Sequence, residues 1–95
     1  MSRRNKENLV MQADLLSPPI NYAVVQLPER KFPGVVVQGD TLHILQKQAV
    51  QMGQLLSAMD LAELAIEIED LKEQLSDALA HFERVCGDRG IALPY

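Results

Sequence analysis

The chain has 95 residues, enough for one domain with a modest core. Its apolar fraction of 47% excludes the disordered class, and no apolar run approaches the ~20 residues of a membrane span. The net charge is −4, and residues 32 to 95 carry four basic and ten acidic groups, a balance that argues against nucleic-acid binding.

The first 15 residues divide into a tail and an ambiguous segment. Residues 1 to 8 are polar and basic without periodicity, which predicts a disordered tail ahead of one α+β domain at residues 9 to 95. Apolar residues then alternate, so we predict a strand at residues 9 to 15. The spacing of Leu9, Ala13 and Leu16 would also suit a short helix.

Two clearer strands follow the Ser17-Pro18-Pro19 break. Residues 22 to 27 and 34 to 38 are rich in β-branched side chains, and the short polar segment between them suits an antiparallel hairpin. With the first strand, they predict a β-hairpin or a three-stranded antiparallel sheet.

A first helix is predicted at residues 41 to 56. Either Asp40 or Thr41 would cap its start. Intervals of 3, 4, 3 and 4 place five apolar residues on one face, namely Leu42, Leu45, Ala49, Met52 and Leu56.

A second, longer helix is predicted at residues 60 to 86. It has a heptad seam formed by Leu61, Leu64, Ile68, Leu71, Leu75, Ala78, Phe82 and Val85. The five-residue step from Leu56 to Leu61 breaks the phase and separates the two helices. Ser57 with Asp60, or Asp60 with Glu63, would cap the start, and Gly87 would end the helix in a left-handed conformation.

This second helix is too long for so small a domain to cover. Its roughly 26 residues beyond the cap would span about 39 Å, against a radius of gyration of about 12 to 13 Å for a compact chain of this size. We therefore expect the seam to contact a second chain. The predicted partner or dimer interface consists of Leu61, Leu64, Ile68, Leu71, Leu75 and Phe82.

The sequence contains no pattern for catalysis, a cofactor or a metal. Gly39 and Asp40 follow a strand, but the glycine pattern and lysine of a phosphate loop are missing, so they are interpreted as a turn and cap. Neither His43 nor His81 has a histidine or cysteine at metal-ligand spacing. We expect a non-enzymatic protein without cofactors.

Three other features have less specific interpretations. A row of acidic residues along the second helix is expected to be solvated or to dock a basic partner; it consists of Glu63, Glu67, Asp70, Glu73 and Asp77. The lone Cys86 is expected to pack internally in a cytoplasmic protein. Tyr95 is either disordered or folded back over the core.

Two passages carry family resemblances. The hairpin and following turn, NYAVVQLPERKFPGVVVQGDTL at residues 21 to 42, and GIALPY at residues 90 to 95 resemble a family of small bacterial proteins known only as a domain of unknown function. That resemblance covers nearly the whole chain and implies no activity. The ten residues 33 to 42 are also similar to the strand-to-helix passage of HicB-type antitoxins, which neutralise a partner toxin by binding it.

These observations support two hypotheses about function. The first is a non-enzymatic protein–protein interaction domain, homodimeric through its long helix, with an antitoxin- or immunity-like neutralising role. Its partners would be a second copy and a basic or toxin-like protein, without nucleic acid or membrane. The alternative is a small-molecule-binding or enzymatic domain that uses the turn at Gly39 and Asp40.

Overall fold

A computed structural model describes residues 12 to 95 of the protein. A three-stranded antiparallel sheet is followed by two helices, which confirms the predicted α+β class. The elements are β1 (Asp14–Leu15), β2 (Val24–Gln26), β3 (Gly34–Val35), α1 (Gly39–Ser57) and α2 (Leu61–Asp88). The predicted tail at residues 1 to 8 and the first part of the predicted first strand lie outside the described residues.

The sheet has the order β1-β2-β3 and is shorter than predicted. Tyr22 and Glu29 both have φ 64°, a left-handed conformation that bulky residues seldom adopt, and they bracket β2. The amide of Val36 still donates to the Ala23 carbonyl at 2.9 Å. Tyr22, the next residue of the partner strand, has left the extended conformation, so pairing stops there and the predicted strand at 34 to 38 ends early.

Helix α1 begins two residues before the predicted start. Gln38 is the N-cap and provides no side-chain hydrogen bond, so the predicted cap at Asp40 or Thr41 is wrong. Asp40 lies inside the first turn, where its Oδ1 accepts from the Thr41 amide at 2.8 Å. Beyond Ser57, Met59 adopts φ 60° and its amide donates to the Leu56 carbonyl at 3.0 Å. This left-handed residue turns the chain into α2.

Helix α2 has a defined cap at each end. Asp60 is the N-cap, and its Oδ1 accepts from the Glu63 amide at 3.2 Å. At the other end the predicted stop at Gly87 is wrong, because the helix continues to Asp88. The left-handed residue is Gly90 (φ 68°), and the Ile91 amide donates to the Cys86 carbonyl at 2.9 Å, as in a Schellman motif.

The core of the described chain lies where β2 crosses the last turns of α2. Val24 and Cys86 are fully buried and Phe82 is nearly so. Their cluster is completed by half-buried hydrophobic residues from the flanking segments: Leu16, Val85, Ile91 and Leu93. No residue of α1 is buried. The sheet and the end of α2 therefore form a small core, while the helical pair extends away from it.

Candidate interaction surface

Helices α1 and α2 form an antiparallel hairpin whose two helices cover each other only partly. Side-chain amides link them: Gln48 Nε2 donates to the Glu67 carbonyl at 3.3 Å, and Gln74 Nε2 donates to Gln48 Oε1 at 3.2 Å. The three residues between the helices leave no room for a crossover, so the helices run side by side.

Burial alternates along the apolar seam of α1. Leu45 and Met52 are half-buried, whereas Leu42, Ala49 and Leu56 are exposed. Because the half-buried residues are seven apart, they form one stripe, and that stripe is the one that faces α2. The exposed residues form a second stripe, in which each residue lies three positions before or four positions after a half-buried one.

The seam of α2 alternates in the same way. Leu64 and Leu71 are half-buried against α1, whereas Leu61, Ile68 and Leu75 are exposed. Each exposed residue again lies three positions before or four positions after a half-buried one. In both helices it is therefore rotated by about 40 to 60° in the same sense.

This shared rotation places both exposed stripes on one side of the hairpin. Two antiparallel helices are related by an approximate two-fold axis perpendicular to the plane that contains them, and such an axis keeps equivalent stripes on the same side. We call this surface the hairpin face; it comprises Leu42, Ala49, Leu56, Leu61, Ile68, Leu75 and Leu79.

The opposite side of the hairpin, here called the polar side, carries most of its charged and amide groups. It carries the Gln48–Gln74 hydrogen bond, and the acidic residues of the predicted row lie there or on the outer edge of α2. All of that row are exposed except Glu67, which is half-buried. The hairpin is thus amphipathic, with the charge and amides concentrated on one side, although Ile44 and Ile66 are also exposed there, and the continuous aliphatic stripes on the other.

The predicted interface residues fall into three groups. Leu61, Ile68 and Leu75 are exposed on the hairpin face. Leu64 and Leu71 are half-buried along the contact with α1. Phe82 is only 6% exposed and packs in the core within the chain, so it does not belong to an available surface.

The sequence prediction assigned no interface role to α1. In the sequence, three of its residues belong only to the single apolar face predicted for that helix, although their spacing is the same as that of the α2 stripe: Leu42, Ala49 and Leu56. The sequence does contain a signal for them. An apolar seam with two stripes needs two packing partners, and within the hairpin each helix has only one, the other helix.

A cavity of about 500 Å³ lies on the polar side, between the hairpin and the loop before β2. Its wall combines aliphatic residues such as Ile44 with the polar residues Asn21, Thr41 and His81. Asn21 Nδ2 donates to Thr41 Oγ1 at 2.7 Å, which fixes the loop to the start of α1. Gly39 and Asp40, the turn of the alternative hypothesis, are not part of this wall.

The remaining chemically distinctive residues do not assemble into a site within residues 12 to 95. No group of three or more histidine, cysteine or acidic residues there could hold a metal ion. His43 is exposed on α1, and the buried Nε2 of His81 has no hydrogen-bond partner among the described atoms. Cys86 is a free, buried thiol, as packing predicts.

Tyr95 lies against α2 but does not cover the core. Its side chain is exposed, and its hydroxyl donates to Glu83 Oε2 at 2.9 Å. Desolvation, the hydrogen bond to Glu83 and the negative charge of that carboxylate all raise the pKa of the Tyr95 phenol. This contact fixes the last residue of the chain to the helix.

Comparison with known protein families places the chain in a family. The model described as "Family of unknown function (DUF6959)" matches residues 9–95. No curated protein and no solved structure is significantly similar to the chain. No helix of the described residues is long and apolar enough to cross a membrane.

Proposed function

Because the chain belongs to the family of unknown function DUF6959, we propose its role from its surfaces: a non-enzymatic protein–protein interaction domain that is homodimeric through its long helix. The observation that carries this proposal is the exposed aliphatic stripe of α2. Leu61, Ile68 and Leu75 are each about half exposed although they share one face. Contiguous apolar surface of this kind marks interaction sites in soluble proteins.

The apolar surface of the hairpin face supports a dimer on energetic grounds. Full burial of a large aliphatic side chain contributes about 1.5 to 3 kcal/mol, so completing the burial of a half-exposed one contributes roughly half of that. Six such side chains in each of two chains give about 9 to 18 kcal/mol. Association costs about 4 to 15 kcal/mol, so the gain reaches the ~8 kcal/mol of a micromolar complex when the cost is below about 10 kcal/mol. The six are Leu42, Leu56, Leu61, Ile68, Leu75 and Leu79.

The more specific form of the proposal is neutralisation of a protein partner in a bacterial cytoplasm. The resemblance of residues 33 to 42 to HicB-type antitoxins supports this role, and the buried free thiol of Cys86 is compatible with a reducing compartment. Exposed carboxylates such as Asp70 and Glu73 cover the polar side of α2 and would attract a basic surface. Pull-down with the tagged domain tests this form; recovery of a basic protein from the native host supports it, and recovery of none contradicts it.

A matched pair of substitutions tests the interaction surface. Ile68 is 46% exposed on the hairpin face, and Ile66, two residues away and about 200° around α2, is 54% exposed on the other side. We expect Ile68→Asp to convert the dimer to a monomer in sedimentation velocity, because it places a charge in the interface, whereas Ile66→Asp leaves the dimer intact. Equal behaviour of the two variants, or a monomeric wild type, would refute the proposed surface.

The cavity beside Asn21 and Thr41 favours a second candidate function, binding of a small molecule. Its volume of about 500 Å³ lies within the range of ligand sites, and it is close to the turn that the sequence suggested, although Gly39 and Asp40 do not line it. Thermal-shift screening with metabolite-sized compounds tests this alternative, because a ligand of the folded state raises the melting temperature by mass action. The variant His81→Ala should lose any such shift if the ligand occupies this cavity.

A further inference from the structure

We propose that a second copy of this chain occupies the hairpin face, and that the two hairpins stack with their α1–α2 turns at opposite ends to form a four-helix bundle. This inference rests on the proposed function and deepens it, because it assigns half of the interface to α1 and sets the orientation of the two chains. Two αα-hairpins that each expose one apolar side are the standard components of such a bundle.

The burial pattern indicates that the interface includes α1 as well as α2. Each helix has a stripe that is covered by the other helix and a stripe that is not, and both uncovered stripes lie on the hairpin face. A partner that contacted α2 alone would leave Leu42 and Leu56 in water. A second hairpin has two helices at the same spacing, so it covers both stripes at once.

The position of the sheet determines the orientation. Cys86 and Ile68 are 18 residues apart, which is five helical turns, so they point in the same direction from α2. Cys86 is fully buried with Val24 of β2, whereas Ile68 is exposed. Phe82, in the same core cluster, is 18 residues from Leu64 and so points toward the α1 side. The sheet therefore lies at the end remote from the α1–α2 turn and extends only partly onto the side of the hairpin face, where Val35 and Leu79 line one groove.

This arrangement disfavours hairpins whose turns lie at the same end, because the parts of the two sheets that extend onto the hairpin faces would then crowd each other. With the turns at opposite ends, each sheet lies beyond the turn of the other chain. The uncovered part of α2, from Leu61 to Leu79, is about 27 Å long. The uncovered stripe of α1, from Leu42 to Leu56, is about 21 Å long and fits within that length.

The two orientations bring different residues together at the centre of the bundle. With opposed turns, a two-fold axis passes near the middle of the uncovered region, so Ala49 of one chain faces Ala49 of the other. With turns at the same end, α1 would stack on α2 of the second copy, and Ala49 would face Ile68. The small, exposed Ala49 is suited to close approach across the axis.

The contribution of α1 is tested by a second matched pair. Leu42 and Ile44 are 60% and 62% exposed near the start of the same helix, but only Leu42 lies on the hairpin face. We expect Leu42→Asp to raise the dimer dissociation constant by about tenfold or more and Ile44→Asp to change it by less than about threefold. If Ile68→Asp separates the chains and Leu42→Asp does not, the four-helix bundle is wrong while the proposed function stands.

The orientation is tested by cross-linking under mild oxidation. Ala49→Cys should form a disulfide-linked dimer, and the unsubstituted chain should not, because its Cys86 is buried. Ala49→Cys and Ile68→Cys chains, mixed after each is shown to be folded and dimeric, should give linked homodimers only. Linkage confined to the mixed pair, or no linkage in a dimeric Ala49→Cys variant, would overturn the opposed arrangement.

Discussion

Substitution of Phe82 tests whether this residue belongs to the core of the chain or to its interaction surface. Phe82 is 6% exposed and packs with Val24 and Cys86, both fully buried. Phe82→Ala leaves a cavity that these neighbours cannot fill, and substitutions of this kind cost about 3 to 5 kcal/mol. A small domain has only about 5 to 15 kcal/mol in total, so the loss is a large part of its stability. Phe82→Leu is the control, with a smaller expected cost because leucine fills more of the space than alanine.

Two measurements on the same variant distinguish a loss of core stability from a loss of dimerisation. Urea unfolding followed by circular dichroism, at one fixed chain concentration, gives the change in the free energy of unfolding. Sedimentation at native conditions gives the dimer dissociation constant, which we expect to remain within a few-fold of wild type. A Phe82→Leu chain that is fully stable but monomeric would show that Phe82 is in the interface and would refute its assignment to the core.

The remaining predictions concern the ends of the helices and the last residue. Met59→Gly should stabilise the chain by up to about 1 kcal/mol in thermal unfolding, because Met59 is 73% exposed and holds φ 60° without packing; a loss of stability would contradict this. Asp60→Ala should cost about 1 kcal/mol and Asp60→Asn much less, since only the carbonyl-type oxygen is needed to accept from the Glu63 amide; equal losses would refute the cap. Glu83→Gln should lower the pKa of Tyr95 in an ultraviolet absorbance titration, and an unchanged titration would exclude the contact. Because the raised pKa favours the neutral phenol, its contribution to stability is present below the ordinary pKa of tyrosine and is lost as pH rises through the folded-state value.

The helices were predicted well because their signals are local and repeated. The phase break between Leu56 and Leu61 predicts the turn correctly. Of the two cap pairs that the sequence offers, Ser57 with Asp60 and Asp60 with Glu63, the structure has the second. The end of α2 was misplaced because two glycines lie near it. Gly90 ends the helix, since Ile91 then reaches the Cys86 carbonyl and packs on the core, a contact that depends on tertiary structure.

The strands and the surface were harder to predict. The valine-rich segments suggested longer strands, but Tyr22 and Glu29 take left-handed conformations that side chains of their size rarely adopt. Seam spacing identifies apolar positions without showing which neighbour covers each one. It therefore could not show that Phe82 lies in the core, nor that Leu42 lies on the same side as Ile68.

The central claim, that two chains cover each other's hairpin faces, is tested most directly by sedimentation equilibrium of the unsubstituted protein over a concentration series. We expect a mass of twice the 10.6 kDa of one chain, with reversible dissociation as the concentration falls through the micromolar range. A mass of one chain that persists well above micromolar concentration would contradict the claim.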